Sequence, residues 1–250
     1  MPPRIYAFAN QKGGVGKTTT AVNLAACLAE AGERALVIDL DPQANATSGL
    51  GMRANGTSTY DLLDGAPLAD LAKPTKFANL SLVPSRPELA GAAVELSNRP
   101  DGERYLQEAL AHAEGFDFVL IDCPPALGLL TVNALAAADR VIVPVQAEYY
   151  ALEGLAQLVQ SINLVKTRLN PKLEIAGVIL TMTDSRTRLS ADVEAEVRKH
   201  FGDLVFRTVV PRSVRVAEAP SHGLPVTHYD RASRGADAYW KVAMELVERC

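Results

Sequence analysis

Three cysteines in 250 residues, with one tryptophan, four methionines and four histidines, leave little material for several classes of function. Cys27, Cys123 and Cys250 stand far apart and form no CxxC or Cys/His pattern, which argues against a disulfide framework or a zinc site. His112, His200, His222 and His228 lack metal spacing and read as surface or packing residues. No apolar stretch has the length needed to span a bilayer, and Met1-Pro2-Pro3-Arg4 runs into a strand pattern without a signal-peptide core. A reducing cytoplasm is the expected setting. An excess of positive charge is missing too: 25 Lys and Arg against 29 Asp and Glu give a net charge of −4. Any affinity for nucleic acid therefore has to come from a local patch. Repeats and low-complexity linkers are also absent. The first strand pattern begins at residue 5, so no helix-turn-helix module is expected ahead of it, and DNA contact would have to use the main domain.

What is present is material for a core, with 48% hydrophobic and 22% charged residues. Short β-branched or aliphatic runs at residues 5–9, 35–38, 80–83, 118–121, 141–145 and 175–180 alternate with longer helical patterns. Several runs are apolar at every position, as strands are when helices cover both faces of a parallel sheet. The expectation is an α/β fold comprising residues 1–250 as a single domain, a mostly parallel twisted sheet with helices on both faces. Helices are legible at residues 18–31, ending at Gly32, at 154–169, stopping before Pro171, and at 235–249.

Gln11-Lys12-Gly13-Gly14-Val15-Gly16-Lys17-Thr18-Thr19 lies between the first strand and the first helix, the context a phosphate-binding loop requires. The glycines let backbone N–H groups curl toward phosphates, Lys17 neutralises charge at the β and γ positions, and the Thr18 hydroxyl can hold Mg²⁺. This makes the chain a P-loop NTPase by expectation, with ATP and Mg²⁺ as its ligands. Asp39-Leu40-Asp41-Pro42-Gln43 and Asp122-Cys123-Pro124-Pro125 both follow apolar strands. In an open α/β sheet ligands bind at those carboxyl ends, so the three carboxylates are expected to face the same crevice as Lys17. Asp122 reads as the carboxylate that holds Mg²⁺ through its hydration shell. Cys123 has no histidine near it in sequence and reads as packing.

The loop is irregular in one respect. The usual G-x-x-x-x-G-K-[ST] would have glycine at position 11, where this chain has Gln11, and a second lysine, Lys12, follows. Lys12-Gly13-Gly14-Val15-Gly16-Lys17-Thr18 resembles the deviant Walker A motif of the ParA/MinD family of ATPases. The resemblance extends over nearly the whole chain and is closest to the short chromosomal (Soj-type) members. It is carried by residues 41–51, 144–154 and 213–223 as well.

The resemblance implies that Lys12 reaches the partner's phosphates across an ATP-sandwich homodimer, in the manner of an arginine finger. It implies that residues 39–43 and 122–125 act as switches, with Asp41 joining Thr18 and Asp122 at the metal and positioning the attacking water, and Asp39 as its electrostatic or structural neighbour. Gly13, Gly14, Val15, Gly16, Lys17, Thr18, Thr19 and Asp122 would hold the nucleotide, and Met182, Pro211 and Ser213 would lie near the adenine. The family commonly has Gly at 44, Cys at 147 and Asn at 213, so Ala44, Ala147 and Ser213 depart from it. The first two are expected to be benign.

Family members of this type bind double-stranded DNA without sequence preference as ATP dimers, and a ParB-like partner stimulates hydrolysis and release. The implied location is cytoplasmic and nucleoid-associated. Between residues 186 and 234 nine Lys/Arg face six Asp/Glu, a mild excess of +3, and Arg186, Arg188 and Arg215 are the candidate phosphate contacts. Arg215 is expected in a loop covering residues 213–223.

The alternative is membrane-associated positioning of the MinD kind, which needs a basic amphipathic C-terminal helix. Residues 239–250 instead mix Lys241 and Arg249 with Glu245 and Glu248, so no membrane partner is expected and Trp240 is assigned to packing. An electron-transfer ATPase like the nitrogenase iron protein would need paired cysteines at the dimer face. Cys123 beside the phosphate site and Cys27 in the first helix do not supply them.

Overall fold

A computed structural model describes residues 2–53, 55–148 and 151–249, with the backbone alone at 151–153. Tyr149, Tyr150 and Cys250 lie outside the described residues. Seven strands form one sheet: β1 (Arg4–Phe8), β2 (Ala35–Asp39), β3 (Lys73–Pro74), β4 (Leu80–Val83), β5 (Phe118–Asp122), β6 (Arg140–Gln146) and β7 (Glu174–Thr181). Their spatial order is β3-β4-β2-β5-β1-β6-β7, and every pairing is parallel except β3 with β4. Strand β3 escaped the sequence reading because two exposed residues, Lys73 and Pro74, carry no apolar pattern.

All five positions of β2 and of β5 are buried, because both faces of the sheet are covered. Alternate side chains divide between two cores. Ala7, Leu36, Ile38, Val119, Ile121, Val141 and Val143 face one. Tyr6, Phe8, Val37, Phe118, Leu120, Ile142 and Ile179 face the other, packed under the helices Lys17–Glu30 and Arg234–Glu248. That last helix buries Tyr239, Val242 and Leu246, and Trp240 packs partly buried against the same core. Among the described residues no helix is long and apolar enough to cross a membrane.

The strand order fixes the site. β1 lies between β5 and β6, and the chain leaves β1 toward β2 on one side but enters β6 on the other, which opens a crevice at the strand ends. Phe8 is level with Asp122, and Asp122 with Asp39, so the loop after β1 and both acidic strand ends open onto that crevice.

Candidate nucleotide site

The helix Lys17–Glu30 starts from Gly16 at φ 88°, a left-handed conformation that glycine adopts without steric cost. It has no side-chain N-cap and no acidic residue in its first turn, so its first amides and the positive end of its dipole are left for an anion. The loop is held at both ends by residues the sequence reading missed. Asn10 donates to the Pro144 carbonyl at 2.8 Å and accepts from the Lys12 amide at 3.0 Å, tying the loop to β6. Thr181 at the end of β7 donates to the Val15 carbonyl at 2.8 Å. Neither residue belongs to the motif, and their signal is tertiary: each sits at a strand end that the sheet order brings beside β1.

The Lys17 ammonium is buried and donates to the Lys12 carbonyl at 3.1 Å. Burial lowers its pKa, while Asp122 and Asp41 oppose the shift. Gly13, Gly14, Gly16, Lys17, Thr18 and Thr19 line a cleft of about 400 Å³. Its opposite walls include Asp41, Gln43 and Ser48 on one side and Pro125, Met182 and Leu224 on others. Val15 faces inward and is fully buried.

The three strand-end aspartates have different partners. Asp39 is fully buried and saturated, accepting from the Thr47 amide (2.8 Å), the Thr47 hydroxyl (2.6 Å) and the Asp41 amide (3.2 Å). Burial raises its pKa to about 6, with those hydrogen bonds pulling the other way. Its role is to anchor the helix Asn45–Gly49, which forms a wall of the cleft. Asp41 lines the cleft and accepts from the Gln43 amide at 2.9 Å. Asp122 is fully buried, and neither carboxylate oxygen has a hydrogen-bond partner among the described residues. Burial, then the charge on Asp39, pushes its pKa well above the usual range, while the nearby Thr18 hydroxyl and Lys17 ammonium pull the other way.

An orphaned buried carboxylate beside a threonine hydroxyl at the mouth of a helix fits a divalent cation. Among the described residues no three His, Cys, Asp or Glu side chains converge as a metal cage. Mg²⁺ needs only one or two carboxylates together with phosphates and waters, which Asp122 and Thr18 would complete. Cys123 is buried and burial pushes its thiol pKa up, so it stays protonated and packs.

The remaining candidates are spread out. Met182, at φ 50°, lines the cleft, whereas Pro211 lines a neighbouring one with Thr183, Arg186 and Arg212, and Ser213 immediately precedes the short helix Val214–Glu218 without a side-chain capping hydrogen bond. Arg215 therefore sits on a helix and not in a loop, because residues 213–222 curl into two successive short helical turns. Arg186 is paired with Asp184 at 2.7 Å and Arg188 with Asp192 at 3.7 Å, both strongly exposed. Lys12 projects to the rim, where its ammonium meets Glu148. Ala44 corrects the expectation that it is benign: it adopts φ 53°, ψ 36°, a conformation that costs a non-glycine residue roughly 1 kcal/mol. Residues lining the cleft that the reading did not single out include Asn23, Asn45, Pro220 and Leu224.

A family model described as "AAA domain" matches residues 3–175. The chain is 53% identical over 248 residues to the sporulation initiation inhibitor protein Soj of Bacillus subtilis, covering 98% of each chain. It is 54% identical over 246 residues to the chromosome-partitioning ATPase Soj of Thermus thermophilus, covering 98% of this chain and 96% of that one. Among solved structures it is similar to cobyrinic acid a,c-diamide synthase from Mycobacterium smegmatis with bound ATP analog and magnesium. The TM-score there is 0.86 at 38% identity, covering 98% of this chain and 95% of that one.

Proposed function

Because the chain belongs to the family of the Soj and ParA chromosome-partitioning ATPases, we propose that it is an ATP-driven switch for DNA segregation, working as one unit over residues 1–250. Its ligands are ATP and Mg²⁺. The observation that carries the reading is the unpartnered, buried Asp122 carboxylate close to Thr18 and the buried Lys17 at the start of the uncapped helix. Mg²⁺, when bound, would neutralise phosphate charge between Thr18 and Asp122.

The chain's own residues supply the rest. Loop amides from Gly13 to Thr19 cradle the phosphates, and Lys17 neutralises their charge from below. Asp41, at the cleft wall and fixed by the Gln43 amide, orients the water whose oxygen attacks the γ-phosphorus as the bond to the bridging oxygen breaks. Met182, which lines the cleft, would contact the base, whereas Pro211 and Ser213 lie outside the cleft lining. Lys12, on the rim, serves the phosphates of a second copy in an ATP-dependent homodimer. That dimer binds double-stranded DNA without sequence preference through Arg186, Arg188 and Arg215. A ParB-like protein then stimulates hydrolysis and release, which gives the protein a nucleoid-associated, cytoplasmic location. Membrane positioning receives no support from the last helix, which buries Tyr239, Val242 and Leu246 in the core and whose exposed side mixes Met244 and Val247 with Asp237, Lys241 and Glu248.

The test is ATP-dependent co-sedimentation with DNA by wild type beside Lys12→Ala, Lys17→Ala and Asp41→Ala proteins. The Asp41 variant should bind ATP and DNA but hydrolyse poorly, and the Lys17 variant should not bind nucleotide. A wild-type chain that stays monomeric with Mg-ATP, even with turnover blocked, would overturn the reading.

A further inference from the structure

Arg215 lies on the short helix that leads into the turn carrying Pro220 of the cleft wall, and it is not free. Its Nη1 donates to Glu218 Oε2 at 3.1 Å, and its Nε lies 3.2 Å from Asp230 Oδ2. The Tyr229 hydroxyl donates to the same Glu218 oxygen at 3.2 Å, and the Tyr229 ring stacks on His222 with centroids 4.9 Å apart. Glu218 is thereby fixed from two sides. Within this trio one positive charge faces two negative ones, which offset the attraction of Arg215 for an approaching phosphate. Among the described residues Arg188, by contrast, is paired with Asp192 alone, at 3.7 Å.

The clamp is joined to the nucleotide cleft by a short lever. Glu218 leads directly into the turn Ala219–His222, where Pro220 lines the cleft, followed by Leu224. Between them Gly223 rests against Gly51, just beyond the helix Asn45–Gly49 that forms the facing wall: a Cβ built on Gly223 would lie 2.5 Å from the Gly51 Cα. A shift of either wall therefore reaches Glu218 within a few residues.

We infer that Glu218 and Asp230 form an autoinhibitory carboxylate clamp on Arg215, shutting it against polyanions until occupancy of the nucleotide cleft moves the Ala219–His222 turn and opens it. The inference rests on the DNA-binding reading above and adds its regulation. Surface ion pairs are individually weak, so the clamp is a bias that ATP can overcome and not a lock.

The experiment measures anisotropy of a labelled random-sequence duplex at moderate salt, with the full chain, without nucleotide and with Mg-ATP. Wild type is compared with Glu218→Gln/Asp230→Asn, with the same pair in an Arg215→Ala background, and with Glu33→Gln/Glu114→Gln, which removes the same charge elsewhere. The clamp-free variant should bind DNA about tenfold tighter than wild type without nucleotide, and its gain on adding ATP should shrink correspondingly. That increase should exceed the one in the remote-charge control and vanish without Arg215, while binding of a fluorescent ATP analogue stays unchanged. Equal DNA affinity of clamp-free and wild-type proteins without nucleotide, or a gain that survives Arg215→Ala, overturns the clamp and leaves the DNA-binding reading intact. If wild type with Mg-ATP binds no DNA, the reading underneath fails instead.

Discussion

The Lys12 ammonium and the Glu148 carboxylate lie 2.7 Å apart, so the extra lysine of the phosphate loop is tethered within its own chain to the segment following β6. Gln146 donates to the other oxygen of Glu148 at 2.6 Å, which fixes the acceptor. Both partners of the pair are close to half exposed, a setting in which ion pairs contribute about 0.2–1 kcal/mol. Glu148→Gln should therefore leave folding stability nearly unchanged. It should tighten ATP-dependent dimerisation by up to about fivefold, because Lys12 no longer has to leave a partner before reaching a second copy. Sedimentation velocity with Mg-ATP reads this directly. Weaker dimerisation in the variant would mean that Glu148 positions Lys12 and does not restrain it.

Lys17→Gln should remove nucleotide-dependent stabilisation. The buried ammonium is poised against Lys12, Asp41 and Asp122, and the amide has no charge to offer phosphates. At Mg-ATP 100-fold above its dissociation constant, wild type gains about 2.7 kcal/mol from mass action. The variant should gain close to none in a thermal-shift titration, and a shift equal to wild type would count against the phosphate role of Lys17.

Ala44→Gly should stabilise the fold. Left-handed φ at Ala44 is strained, and glycine relieves it at the cost of some unfolded-chain entropy. A net gain of up to about 0.5 kcal/mol, or roughly 1–2 °C in Tm for a chain of this size, is expected by urea and thermal unfolding. A fall in Tm would show that the left-handed turn is not a source of strain.

Asp122 and Asp39 set a pH dependence whose sign is opposite to that of a salt-bridged carboxylate. Burial lifts Asp39 to about 6 and Asp122 well above its ordinary value, so between the unfolded carboxylate range near 4 and those raised values the folded state binds more protons. Stability from these groups is fully present at low pH and is lost as pH rises through the folded values. Without ligands, Asp122→Asn should thus be more stable than wild type at pH 8, with the difference narrowing toward pH 5. Added Mg-ATP should stabilise the wild type more than the variant. Denaturant midpoints across that range, with the two proteins compared at each pH, decide it; a difference that widens on acidification would contradict the assignment.

Gly223→Ala should be costly. The new Cβ would press on the Gly51 backbone, and φ of 62° disfavours any side chain. Both effects are of the kind that cost about 1–3 kcal/mol each. The loss should appear in urea unfolding, and nucleotide affinity should fall with it, since Pro220 and Leu224 on either side line the cleft. Unaltered stability would show that the two loops separate freely.

Much of the site was readable because its parts are local. The strand, Gly-rich loop and helix from Arg4 to Glu30 are consecutive, and six strands were placed to within a residue at either end. The carboxyl-end aspartates could be read from apolar runs that stop at an acid. Residues such as Thr181, Asn10 and Thr47 could not, since a polar residue at a strand end or in a short helix has no pattern of its own. Their hydrogen bonds join segments whose adjacency depends on sheet order. Glu148 is the same case: nothing in Gln146-Ala147-Glu148 indicates that it meets Lys12 from 136 residues away.

The sequence by itself determined the element rhythm, the phosphate loop and the identity of the charged groups, because backbone curvature, apolar periodicity and side-chain chemistry act over a few neighbouring residues. Tertiary structure alone decided which of three aspartates is left unpartnered, that Ala44 bears strain, and that Lys12 and Arg215 are each held by acids. Those outcomes depend on burial and on distances of about 3 Å between segments remote in the chain, where desolvation and pairing are settled only once the sheet has closed around them.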